Sequence, residues 1–280
     1  MTQDSETPAV FISGAMSGIG KQLALQYLKR GYNVAVFNRS LNPSVVAQLQ
    51  SSTFNDNQKI VFHQVDITHY DKLENAMNEA QALLGPPQLA INSAGVQRAL
   101  PFLALSETDF AQVVSVNLMG SRNFAYAAIK LMRQGAQLVL ISSLAGIIPN
   151  YTYTAYCASK FGVYGLAKAL RIELREKNIS VSVVCPPEVD TPMIVEERRT
   201  AHPASLTLKS FAGTLELAPA VDYIISKLDK KKFLIIPGIR AKLVYLSDKL
   251  LPSWLNFWFV DSAVKYSARK TQKSAGKDAP

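Results

Sequence analysis

Short β-branched, apolar runs alternate with amphipathic stretches along nearly the whole chain, and this alternation narrows the fold more than any other feature. The runs are AVFIS (9–13), NVAVFN (33–38), KIVFHQVD (59–66), LAIN (89–92), QLVLIS (137–142), SVSVVC (180–185) and FLIIP (233–237). Helical patterns such as 19–30, 71–84 and 106–132 separate them. Near-continuous apolar strands joined through helices need a parallel sheet covered on both faces. The spacing therefore predicts an α/β fold, a doubly wound parallel sheet of about seven strands. With 280 residues, 48% of them hydrophobic, one sizeable core and one domain are expected, spanning 1–240 and followed by a C-terminal extension over 241–280. Residues 186–218, punctuated by Pro186, Pro187, Pro192 and Pro203, read as a long loop or lid.

Composition removes several alternatives. Cys157 and Cys185 are spaced for neither a disulfide framework nor a metal site and read as small buried residues of a protein in a reducing compartment. The N-terminus, MTQDSETPAV, has no basic or apolar region of the signal-peptide kind, so a cytoplasmic location is expected. The formal charge of +9 is concentrated late, with Lys265, Arg269, Lys270, Lys273 and Lys277 against Asp278 alone in residues 265–280. No basic stripe with interleaved aromatics appears elsewhere, which argues against nucleic acid. No G-x-S-x-G elbow exists, and His63, His69 and His202 have no evident carboxylate partner, which argues against a serine hydrolase.

Directly after the first strand comes SGAMSGIGKQLA, with Gly14, Gly18 and Gly20 between strand and helix. Such a turn lets backbone amides approach a pyrophosphate at a helix N-terminus. The second strand ends FNRSLN, with Arg39 and no acid between Val34 and Asn55. An acid there would hold a ribose 2′-hydroxyl, whereas an arginine accommodates a 2′-phosphate, so NADP(H) is the expected cofactor.

Further on, YTYTAYCASKFG (151–162) offers three tyrosines before Lys160. A helix beginning near Thr154 puts residues four apart on one face, which selects Tyr156 over Tyr153; Tyr164 stands four positions to the other side.

Together SGAMSGIG (13–20), NSAG (92–95), Asn117 in VSVNLMG, ISSLAG (141–146), YCASK (156–160) and CPPEVDTPM (185–193) resemble, in order, the motifs of the short-chain dehydrogenase/reductase family. The resemblance implies a Rossmann fold and a catalytic set of Asn117, Ser143, Tyr156 and Lys160, with Ser142 structural. In it Tyr156 donates a proton to the carbonyl oxygen, Ser143 holds that oxygen, Lys160 binds the nicotinamide ribose, and Asn117 positions a water that feeds protons to Lys160. A neighbouring ammonium is expected to pull the phenol towards neutrality. The resemblance also implies cofactor contacts from Gly14, Ser17, Gly18, Ile19, Gly20, Asp66, Ile67, Asn92, Ala94, Gly95, Val189 and Thr191. Tyr151 and Tyr153 are then loop residues lining a pocket. Ser13 stands where the family has threonine, and Pro187 where it has glycine.

The loop PPEVDTP, followed by EE and Thr200, is similar to that of the 3-ketodihydrosphingosine reductases, which reduce a long-chain 3-keto amine with NADPH. A hydrophobic lipid substrate and a homo-oligomer are the expected partners, with steroid ketones and 3-oxoacyl thioesters as alternative substrates. In LVYLSDKLLPSWLNFWFV (243–260), Trp254, Phe257, Trp258 and Phe259 fall within six residues, while Asp248, Lys249 and Pro252 make a poor spanning helix. The segment reads either as an amphipathic stretch at a membrane interface, reaching through the basic residues to about 270, or as a helix packed in a core or oligomer contact.

Overall fold

A computed structural model of the chain describes residues 7–55 and 57–275, with side chains at all of these except 193, 196, 199, 200 and 268–275. Thr200, Arg269, Lys270, Lys273, Lys277 and Asp278, singled out in the sequence, lie outside the described side chains. The chain runs β1 (Ala9–Ser13), α1 (Gly18–Lys29), β2 (Asn33–Asn38), α2 (Pro43–Gln50), β3 (Ile60–Gln64), α3 (Tyr70–Leu84), β4 (Pro87–Asn92), α4 (Glu107–Val114), α5 (Gly120–Leu131), β5 (Gln137–Ile141), α6 (Thr154–Glu173) and β6 (Ser180–Val184). It continues through β7 (Glu188–Val189), α7 (Pro192–Thr200), α8 (Pro203–Ala212), β8 (Thr214–Leu215), α9 (Leu217–Leu228), β9 (Leu234–Ile235), α10 (Ile239–Leu250) and α11 (Ser253–Ala275).

Seven strands form one parallel sheet in the order β3-β2-β1-β4-β5-β6-β9. The order reverses between β1 and β4, and in such sheets the crevice at the carboxyl ends beside that reversal binds ligands. Alternation along β1 feeds two cores. Phe11 joins Phe37, Phe124 and Leu138 on one face, while Val10 and Ile12 join Tyr27, Leu23 and Ile91 on the other. Every one of these side chains is buried, so both faces of the sheet are covered, as the uninterrupted apolar runs require.

Two expectations are corrected, and one segment is defined further. The pattern over 106–132 is not one helix: a π-helical turn, Ser115–Met119, separates α4 from α5 and carries Asn117 inward. The region 186–218 is not irregular. It holds α7, α8 and the two-stranded β7–β8 ribbon, and Pro192 and Pro203 occupy first-turn positions, where the missing N–H costs no intrahelical bond. Finally, 243–260 divides at Leu251–Pro252 between α10 and α11, which both pack against α8. None of the described helices is long and apolar enough to cross a membrane.

Candidate active site

The turn after β1 is built for close approach. Gly14 has φ +73°, and a methyl group there would stand 2.6 Å from the backbone nitrogen of Ala94. A methyl group on Gly20 would meet the Gly14 carbonyl oxygen at 2.2 Å. Only glycine at both positions lets the turn lie against the end of β4, and α1 then begins with its amides at the rim of a cavity of about 870 Å³.

Most of the residues singled out in the sequence line that cavity: Gly14, Ser17, Gly18 and Ile19 from the first turn, Arg39 from the end of β2, Asp66 and Ile67 after β3, Ala94 and Gly95 after β4, then Ser143, Tyr156, Lys160, Val189 and Thr191. Arg39 is exposed, with no ion-pair partner among the described residues. The Oδ1 of Asp66 accepts hydrogen bonds from the backbone and hydroxyl of Thr68 at 2.9 and 2.8 Å, which fixes the turn leaving β3.

Gly20, Asn92 and Asn117 stand behind the lining. Asn92 is buried, accepts from the Ser13 hydroxyl and donates to Ser121 Oγ at 2.7 Å, so its side chain braces β1, β4 and α5. Ser13 thereby keeps the hydroxyl that its family counterpart, threonine, would supply. Asn117 is also buried: its Oδ1 accepts from the Val96 amide at 2.8 Å, and its Nδ2 donates to the Val96 carbonyl at 2.9 Å and to Ser159 Oγ at 3.0 Å. These bonds clamp the loop after β4 to α6.

Helix α6 places Tyr156 and Lys160 one turn apart on its inward face. Ser142 donates to the Lys160 carbonyl at 2.9 Å, tying the end of β5 to the helix. Ser143 opens the short 3₁₀ turn Leu144–Gly146, its Oγ accepting from the Ala145 amide at 3.1 Å, and its hydroxyl reaches the Tyr156 phenol. Lys160 is buried; its ammonium lies 5.6 Å from the centre of the Tyr156 ring and donates to the Ile141 carbonyl at 3.0 Å. A methyl group on Gly95 would stand 3.4 Å from that nitrogen, so the glycine keeps the space above it open.

Electrostatics here differ from the sequence expectation. Burial pushes the Tyr156 phenol up to about 12, against the pull of the Ser143 hydrogen bond, and burial draws the Lys160 ammonium down to about 8. Loss of water is the largest influence on the phenol, and the Lys160 ammonium gives its hydrogen bond to a carbonyl. The phenol is therefore held protonated, the form that gives a proton away.

Sequence reasoning missed a charged network roofing the cavity. Tyr153, the residue before α6, donates to Glu197 of α7; Lys209 of α8 donates to Glu197 at 2.6 Å and stands 2.6 Å from Glu188 Oε2; Arg198 and Thr214 bond the other Glu188 oxygen. Burial raises the Glu188 carboxyl, but hydrogen bonds from Lys209 and Thr214 outweigh it and leave the group lowered. Burial and then Glu197 hold the Tyr153 phenol far above its ordinary value. The adjacent EE was visible, yet nothing near Lys209 marked it as their partner. Tyr153 lines the cavity, as expected; Tyr151 does not, its ring leaning on His202 at 4.7 Å instead. His63 does have a carboxylate neighbour, Glu79 at 3.5 Å, but burial lowers its pKa and it stays outside the cavity wall.

The cavity has a largely apolar stretch of wall, interrupted by Ser247, Asp248 and Asn256. Phe211 of α8, Val244 of α10, and Leu255, Phe257, Trp258 and Phe259 of α11 form it, the Phe211 and Phe259 rings 6.0 Å apart.

A glycine turn at the sheet's reversal point, with serine, tyrosine and lysine lining the same cavity, marks a Rossmann-type nucleotide-binding fold. Residues 8–202 match the model of the short chain dehydrogenase family, and the chain belongs to that family. It is similar to mouse (Mus musculus) 3-ketodihydrosphingosine reductase, 34% identical over 196 residues, which are 68% of this chain and 59% of that protein. The match thus spans about three-fifths of that relative's length. It is also similar to the mouse 3-oxoacyl-[acyl-carrier-protein] reductase, 29% identical over 78% of this chain and 89% of that one. Among solved structures, a short chain dehydrogenase from Mycobacterium paratuberculosis bound to NAD aligns with a TM-score of 0.76 at 24% identity, covering 84% of this chain and 98% of its own. At that identity the likeness speaks for the fold.

Proposed function

We propose that the chain reduces a keto group on a long-chain hydrophobic substrate of the 3-ketodihydrosphingosine type, using NADPH. The observation that carries this reading is that Ser143, Tyr156 and Lys160 line the same cavity as a largely aromatic and aliphatic stretch of wall from α8, α10 and α11. The residues present fit the cofactor: a turn that admits no side chain at Gly14 or Gly20, the start of α1, and an exposed arginine just after β2, in a stretch from Val34 to Asn55 that carries no acid. Gly14, Ser17, Gly18 and Ile19 would hold the pyrophosphate, Asp66 and Ile67 the adenine end, and Ala94, Gly95, Lys160, Val189 and Thr191 the nicotinamide end.

Bound NADPH supplies the hydride that adds to the carbonyl carbon. As the C=O π electrons move onto oxygen, Tyr156 gives its phenolic proton to that oxygen and Ser143 holds it by a hydrogen bond. Lys160, whose pKa is drawn down to about 8, can pass a proton on to restore the phenol. The products are the alcohol and oxidised cofactor, with one proton taken from water. Asn117 positions the loop and helix that carry these groups.

The second reading, reduction of 3-oxoacyl thioesters, is supported by the likeness to 3-oxoacyl-[acyl-carrier-protein] reductase. NADPH consumption measured with 3-ketodihydrosphingosine, a steroid ketone and a 3-oxoacyl thioester decides between them. The long-chain keto amine should give the highest kcat/KM; a thioester ahead of it would replace the first reading with the second.

A further inference from the structure

Helix α10 is apolar on two faces. Ala241, Val244 and Tyr245 pack into the core. Ile239, Leu243, Leu246 and Leu250, at i, i+4, i+7 and i+11, are all exposed, Ile239 at 77% and Leu250 at 78%. A surface helix ordinarily buries one stripe and turns polar residues outward, so the second stripe is unexplained by packing within the chain. α11 extends it with Trp254, 70% exposed, and with Phe257 and Trp258. An apolar area of this extent on a protein surface marks a contact with something else.

Two further observations say what that contact is. First, the helices carrying the stripe are basic: Arg240, Lys242, Lys249 and Lys265 against Asp248 and Asp261 over residues 239–267. Arg240 and Lys242 also serve the fold, bonding the Ser210 carbonyl and covering the Tyr223 ring, whereas Lys249 and Lys265 are exposed. Lysines are depleted from the core of protein interfaces, while tryptophans flanked by basic residues suit the headgroup layer of an anionic bilayer. Second, Phe257, Trp258 and Phe259 both line the cavity and stand exposed, so the apolar end of the cavity opens among the same aromatic residues.

We propose that the outer face of α10 and the first turns of α11 seat the protein on an anionic bilayer surface, and that a long-chain substrate passes from the lipid into the cavity between those aromatics without crossing water. The entry route rests on the reductase reading above; the surface itself does not.

The test uses the full chain and a Leu243→Ser/Leu250→Ser/Trp254→Ser variant, whose altered residues lie outside the cavity lining. Co-sedimentation is measured with vesicles of zwitterionic phospholipid alone and mixed with anionic phospholipid, at low and high salt. Turnover is measured on a short water-soluble ketone and on a long-chain ketone dissolved in the vesicles, and assembly state by light scattering. The unaltered protein should sediment with anionic vesicles, less so as salt rises. The variant should bind them ~10-fold more weakly or worse, lose vesicle-ketone turnover in proportion, and keep its kcat/KM on the soluble ketone. An unaltered protein that turns over soluble ketone but sediments with no vesicle overturns the proposal. A variant that only dissociates a dimer also overturns it and assigns the face to a second copy. No turnover of either ketone would count against the reductase reading and the entry route, while sedimentation would still decide the surface.

Discussion

The Lys160 ammonium lies 5.6 Å from the centre of the Tyr156 ring and donates its hydrogen bond to the Ile141 carbonyl, not to the phenol. Two titratable groups, Lys160 buried and Tyr156 partly buried, thus share one helix face, each shifted towards its neutral form. Charge on Lys160 is therefore held at a cost to the fold. Its folded pKa of about 8 lies below the ordinary 10.5, so the unfolded chain binds more protons between these values and stability rises with pH across that window. The penalty at pH 7 is about 3 kcal/mol.

Replacing Lys160 by Met should accordingly stabilise the protein at pH 7 while abolishing turnover. Losing the bond to Ile141 returns about 1 kcal/mol, leaving a net gain of about 2 kcal/mol and a melting temperature a few degrees higher. At pH 10.5 or above the gain should vanish. Thermal unfolding of both proteins at the two pH values is the check, and a Met variant no more stable than wild type at pH 7 would refute the burial penalty.

Arg39→Asp removes a charge-assisted phosphate contact and introduces repulsion. The ratio of kcat/KM for NADPH over NADH should fall by ~10²-fold, equivalent to ~2.7 kcal/mol. An unchanged ratio would mean that some other residue reads the 2′-phosphate.

Lys209 is the cation common to Glu188 and Glu197, and through them it ties α8 to β7 and α7. Lys209→Met leaves buried carboxylates short of a partner, a change that costs about 3–5 kcal/mol where a pair is fully buried. The segment 186–213 should open more often, so limited proteolysis there should accelerate by ~10-fold or more and KM should rise. Unchanged cleavage would show that the network does not hold the lid.

The sheet was largely legible in the sequence because burial on both faces leaves uninterrupted apolar runs; all seven predicted strands occur, with ends within two residues of those read from the chain. Tyr156 and Lys160 were legible because a helix converts a spacing of four into one face. Other features depend on contacts distant in sequence. Pro192 and Pro203 looked like breakers because a first-turn proline and a loop proline are locally alike. The π-helical turn at Asn117 interrupts no apolar pattern, and the amide's engagement by Val96 and Ser159 appears only when two loops meet α6. The direction of the Tyr156 shift turned on how much water is lost around it, which spacing does not record.

The tyrosines separate chemistry from support. Tyr153→Phe removes a phenol that bonds Glu197, and Tyr151 and Tyr164 lie outside the cavity lining, so phenylalanine at each of the three should leave substantial turnover. Loss of activity in Tyr153→Phe equal to that in Tyr156→Phe would show that the network at Glu197 takes part in proton transfer.

The most direct test of the account is turnover by Tyr156→Phe beside wild type, with NADPH and 3-ketodihydrosphingosine, and NADPH binding followed separately by fluorescence. Wild type should consume one NADPH per alcohol formed. The variant, keeping the ring but lacking the proton, should bind NADPH as wild type does while kcat falls by ~10²–10⁴-fold. A variant with near-normal kcat would contradict the proton-transfer role of Tyr156.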